Sequence, residues 1–159
     1  MMPGIILKMH YCGRSSLSKY ISCLFILLLG VCIGCAGRDE FTKADLGQEF
    51  SLRISQTAQI EDEQLAIRFE RIAGDSRCPK GVTCVWAGEI NCDVVVTHKG
   101  SSSKIILTQP GLTELSAEQT YKGYRLIYFV QPYPEAAKKI STAEYRLKLT
   151  VEKLPQSPD

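Results

Sequence analysis

Between Gly74 and Ile90 the chain reads GDSRCPKGVTCVWAGEI, holding two cysteines, a proline, three glycines and the only tryptophan of 159 residues. Such a segment can be a disulfide-clamped loop, a metal site or a redox centre. Cys78 and Cys84 flank Pro79 and Gly81, which favour a compact turn, so a Cys78–Cys84 disulfide is the expected pairing. Closing a ring of about seven residues is worth on the order of 2 kcal/mol in the chain-entropy model. Cys92 is then left over, and its apolar phase within EINCDVVVTH reads as a buried thiol acting as a small hydrophobe. Pairings of either loop cysteine with Cys92 are the alternative.

A zinc site would recruit Cys78, Cys84, Cys92 and His98, whose donors must all lie within ~2.0–2.3 Å of one ion. If Cys92 and His98 share an extended strand, six residues at about 3.3 Å each separate them by about 20 Å. No metal and no cofactor is expected on that ground. The spacing is C-x₅-C rather than C-x-x-C, and no βαβ pattern surrounds it, which argues against a thioredoxin-like centre. Ser101–Ser103 are turn residues rather than a G-x-S-x-G elbow, and His98 reads as an exposed residue at a strand end. Phosphate-cradling glycines and basic clusters interleaved with aromatics are missing, so neither nucleotide nor nucleic-acid binding is expected. The expectation is a noncatalytic protein. A carboxylate-based extracytoplasmic hydrolase is the rival, since acidic residues far apart in the chain can meet in space.

The elements that must position this loop are strands. Apolar residues alternate with polar ones at a period of two in QEFSLRIS, EQLAIRFERI, EINCDVVVTH, SKIILTQ and YRLKLTVEKL. Ile72 falls out of phase, as at a β-bulge. YKGYRLIYFVQ, residues 121–131, reads as one long central strand, apolar on both faces in its second half. LTELSAEQT reads as a loop or helical turn, and PYPEAAKKIST as a loop with one helical turn at Glu135–Lys139. With no long helix between strands, the fold class is all-β: an antiparallel β-sandwich or flattened barrel of about six to eight strands. Within it the loop can be purely structural. Asp75 and Ser76 would cap turn amides, Arg77 would ion-pair across the turn, and Trp86 would plug the end of the sandwich. The same stiffness suits recognition, because a preorganised loop loses less entropy on binding and Trp and Arg are favoured anchors. Asp75, Arg77, Lys80 and Trp86 are the candidate binding residues. A protease inhibitor presenting Lys80 as bait from loop 78–84 is a further alternative.

The N-terminus supplies the address. Lys8, Arg14 and Lys19 are followed by ISCLFILLLGVCIG, residues 21–34, which carries no charge. This apolar run is shorter than the ~20 residues of a membrane-spanning helix, and a basic flank before a short apolar core is the pattern of a secretory signal. The run ends CIGC, residues 32–35, which resembles the lipobox of bacterial lipoprotein signals. Gly34 matches the small residue before the cleavage point, Ile33 fits before it, and Cys32 stands where leucine is usual. Cleavage before Cys32 fits worse, because Val31 is not small. The resemblance implies a signal helix over 1–34, diacylglycerol on Cys35 and a membrane-anchored domain outside the cytoplasm, periplasmic or surface-exposed. An exported compartment also favours disulfides.

Residues 35–46 (CAGRDEFTKADL) read as a flexible tether, 47–154 as the β domain and 155–159 as a frayed tail. The whole chain has 19 Lys and Arg against 17 Asp and Glu, and the signal holds three of the basic residues and no acid. The mature chain therefore has 16 basic against 17 acidic residues, a net charge of −1, and offers no electrostatic case for polyanions. The expected partners are the membrane, through the anchor, and a protein at loop 74–88, with the domain itself monomeric. The string DSRCPKGVTCVWAGEI, with GYRLIYFVQPYP and YRLKLTVEK downstream, is similar to a group of small bacterial secreted proteins and lipoproteins. They share a D-S-R-C-P-x₄-C-x-W-x-G core, matched here by Asp75, Ser76, Arg77, Cys78, Pro79, Cys84, Trp86 and Gly88. The resemblance implies an extracytoplasmic domain with a shared structural loop and brings no activity with it.

Overall fold

The structure is a computed structural model that describes residues 41–111 and 115–155. The expected signal helix (1–34), lipidated Cys35 and the last four residues of the tail lie outside the described residues. Among the described residues nine strands form two sheets: β1 (Phe41–Lys43), β2 (Glu49–Arg53), β3 (Thr57–Ile60), β4 (Leu65–Asp75), β5 (Glu89–His98), β6 (Ser101–Pro110), β7 (Ala117–Tyr121), β8 (Tyr124–Gln131) and β9 (Arg146–Lys153). One sheet runs β1-β3-β4-β5-β6 and the other β2-β9-β8-β7. Every pairing is antiparallel except β1 with β3, which is parallel. The sandwich is therefore the realised form, with the two sheets contributing alternate residues to one core.

The alternation explains the packing. Leu65, Ile67 and Phe69 of β4 and Ile90, Cys92, Val94 and Val96 of β5 are all buried, facing Leu126, Tyr128 and Val130 of β8 and Leu147, Leu149 and Val151 of β9. The register of β4 against β5 slips after Phe69 and again after Ile72, so that Ile72 pairs with Cys92. The first slip returns Ile72 to the inner face, where it packs on the core. Cys92 is a free, buried thiol, and desolvation pushes its pKa up to about 12.

Four expectations are corrected. Phe41–Lys43 lies in a strand, so the ordered domain begins within the span read as tether. Residues 117–120, read as loop or helical turn, belong to β7. Residues 121–131 are two strands rather than one, because Lys122 and Gly123 turn at φ +46° and +83°. Such paired left-handed residues match the twist of a two-residue hairpin, and Lys99 and Gly100 make the same turn between β5 and β6 at φ +48° and +79°. The segment 135–139 forms no helical turn. Glu135 instead makes a parallel bridge with Lys80.

Candidate functional site

The β4–β5 connection, residues 76–88, leaves one end of the five-stranded sheet. Its root is held by side chains from both sheets. Arg77 is buried, its guanidinium fully so. Nε donates to Asp75 Oδ1 at 2.9 Å and Nη2 to Asp75 Oδ2 at 2.7 Å, a bidentate pair. Nη1 donates to the Val130 carbonyl at 3.0 Å and Nη2 to that of Pro132 at 2.9 Å. The Tyr133 ring lies 5.1 Å from the guanidinium carbon, within cation–π range. Tyr145 Oη donates to Asp75 Oδ2 at 3.1 Å. Burial first, and then the Asp75 charge, push the Tyr145 phenol up to about 12. Arg77 thus joins its own turn to the end of β8 in the opposite sheet.

Backbone contacts complete the root. Ser76 Oγ accepts from the Glu89 amide at 3.1 Å, and the Ser76 amide donates to the Glu89 carbonyl at 2.8 Å. The Arg77 amide donates to Asp75 Oδ1 at 3.3 Å, so the expected caps are present. Tyr133 Oη lies between the carbonyl oxygens of Cys78, at 3.0 Å, and Gly111. Gly88 has φ +67°, and a Cβ there would collide with the Ser76 carbonyl. Glycine is required at this crossing for both reasons. Buried Gln109 accepts from the Val130 amide at 2.8 Å, a second link between the sheets at this end.

Beyond the root, Cys78 and Cys84 are joined by a disulfide across six positions, as expected. The ring is fixed from below, since the Lys80 amide donates to the Pro134 carbonyl at 3.0 Å and the Ala136 amide to the Lys80 carbonyl at 3.1 Å. The Lys80 ammonium stands over the Tyr133 ring at 5.6 Å. The tip faces away from the fold. Val82 is 52% exposed, Trp86 68% and Val85 fully. Trp86 therefore does not plug the sandwich, because the end is already closed by Arg77, Tyr133 and Gln109. These two latter side chains carried no signal of their own: a tyrosine after a strand and a glutamine in one look ordinary until the sheets are superposed.

The four candidate residues thus divide. Asp75 and Arg77 belong to the root, Lys80 to the strapped side of the ring, and Trp86 to the exposed tip. Elsewhere, His98 and Cys92 occupy the same uninterrupted strand, so their donors cannot converge. No group of three or more metal-ligating side chains occurs among the described residues. His98 is half-buried rather than exposed and meets the Tyr124 ring edge-on, with centroids 5.5 Å apart. Asp45, Glu61 and Asp62 share an open groove of about 340 Å³ with Lys43, whose ammonium lies 3.0 Å from Glu61. All three acidic residues are exposed. The chain matches no protein family, no curated protein and no solved structure.

Proposed function

We propose that the protein is a lipid-anchored protein of the bacterial cell envelope whose β-sandwich works without catalysis, as a rigid holder that displays the disulfide loop for binding. One observation carries the display. Val82, Val85 and Trp86 stand in solvent on a loop whose root is immobilised by Arg77, Tyr133 and the Cys78–Cys84 bond. A flexible apolar loop would fold back on the sandwich, whereas a clamped one keeps apolar surface available. The anchor rests on the CIGC resemblance at residues 32–35.

The bait reading of Lys80 is weaker. A protease needs the backbone at the scissile residue free to pair with its own, and both polar backbone groups of Lys80 are engaged by residues 134–136. Two measurements test the proposal. The mass of protein extracted from membranes should show diacylglycerol on a chain beginning at Cys35. Replacing Trp86 by Ala should change unfolding free energy by no more than about 0.5 kcal/mol, as for an exposed residue. A loss near the ~3–5 kcal/mol of a buried aromatic would make Trp86 a structural residue and remove the display reading.

A further inference from the structure

We infer that the tip residues Val82, Val85 and Trp86 insert into the lipid surface of the very membrane that holds the anchor. The inference rests on the anchor proposed above and goes beyond it by assigning the loop its occupant, an acyl-chain and headgroup boundary.

Chain direction and chain length carry the argument. Phe41 pairs with Thr57, Thr57 with Arg68 and Arg68 with Val95, so the domain's first described residue lies level with Val95 of β5. Strand β4 runs toward the loop end, where Asp75 pairs with Ile90. Strand β3 is antiparallel to β4 and β1 is parallel to β3, so β1 runs away from the loop end. The N-terminal end of β1, at Phe41, therefore points toward the side of the disulfide loop. Val95 and Ile90 are five residues apart along β5, about 17 Å at ~3.3 Å per residue. Six residue steps separate Cys35 from Phe41, a reach of at most about 20 Å. A lipid on Cys35 can extend about as far as the loop end and cannot hold the domain at a distance from the bilayer.

The chemistry of the tip fits that surface. Trp is the residue enriched at membrane–water interfaces, its indole half apolar and half hydrogen-bonding. Two valines beside it add apolar area without charge. The two acyl chains of a diacylglycerol on Cys35 already make a stable anchor, which by itself leaves the domain free to reorient. An inserted loop adds to that anchor a second contact that sets the orientation of the sandwich. The clamped root lowers the ordering cost incurred on insertion.

The single tryptophan makes the test direct. Full mature protein, extracted from membranes and weighed for lipid at Cys35, is reconstituted in vesicles of phosphatidylethanolamine and phosphatidylglycerol. Trp86 fluorescence is then read with iodide in the water and with bromine-labelled acyl chains in the bilayer. The expected result is blue-shifted emission, a several-fold loss of iodide quenching relative to protein in solution, and quenching by lipids brominated near the headgroup. Val82→Ser with Val85→Ser should partly restore iodide access. In a Trp86→Phe background, Ile106→Trp, on the outer face of β6, should report water in both settings.

Lipid on Cys35 with Trp86 equally open to iodide in vesicles and in solution overturns the inference and leaves the anchor standing. An unlipidated chain whose Trp86 is still quenched by brominated lipid overturns the anchor and upholds the loop contact. An unlipidated chain with Trp86 in water overturns both.

Discussion

At the scale of single residues, Arg77 matters more than its number of contacts conveys. Its charge is wholly removed from water, and it is compensated by one carboxylate, two carbonyls and an aromatic face. Removing one partner of a buried pair strands the other. Arg77→Ala should therefore cost ~3–5 kcal/mol by urea titration, and unlike Trp86→Ala it should also loosen loop 76–88 in hydrogen exchange. Cys92 is the opposite case, a thiol whose chemistry is suppressed by burial. With its pKa pushed up to about 12 by desolvation, thiolate is scarce at neutral pH and the sulfur is enclosed. Iodoacetamide should leave Cys92 unmodified in the folded protein and alkylate it at the rate of global unfolding.

At the scale of elements, the disulfide loop and the β-hairpins show two ways of fixing a turn. Lys99–Gly100 and Lys122–Gly123 turn their hairpins through left-handed backbone conformation, with no covalent link. The β4–β5 connection spans thirteen residues between Asp75 and Glu89, too many for a tight turn, and needs cross-links. Replacing Cys78 and Cys84 together by Ser should lower stability by about 2 kcal/mol, the loop-closure value for a short ring. The loss should appear as a lower denaturant midpoint, with the sandwich intact, because the core lies elsewhere. Unfolding of the domain on this replacement would mean that the loop is part of the folding core. The strands most easily read were those buried on one face at every second residue, such as β5. β1 and β7 escaped because each is an edge strand, and Phe41–Lys43 and Ala117–Tyr121 bury little. β3 escaped for its length, four residues with Ala58 among its apolar positions.

At the scale of the whole molecule, charge on the outer faces sets the response to acid. Asp93, buried under β4 and β6, accepts from Lys104 at 2.9 Å and Arg71 at 2.6 Å. Lys104 first, and then Arg71, hold its carboxyl below the usual range against the opposing effect of burial. Glu63 is held low by Lys153 and by the Tyr124 hydroxyl, which donates at 2.7 Å. Both carboxyls thus ionise more readily folded than unfolded, so the unfolded chain binds more protons in the interval between the two pKa values. Their contribution is complete above the unfolded values near ~4 and is lost as pH falls through the folded ones. Stability should be level from neutral pH down to about 5 and fall below it. Asp93→Asn should lower the plateau and make the acid decline shallower, as read by urea midpoints across pH.

The sequence by itself determined the all-β class, the inward residues of the long strands, the loop disulfide and the spare buried thiol. Each follows from local facts: a period of two, a short ring, a cysteine in apolar phase. Only the tertiary structure decided that Arg77 reaches across to Val130 and Pro132, that Tyr133 and Gln109 close the end, and that Trp86 is left outside. Those outcomes depend on which strand ends meet across two sheets. The chain separation of Arg77 and Val130 is 53 residues, and alternation specifies which face a residue occupies but not what lies opposite it. The same holds for chain direction. That β1 runs parallel to β3, with Phe41 toward the loop end, is a matter of topology that no single strand's sequence specifies.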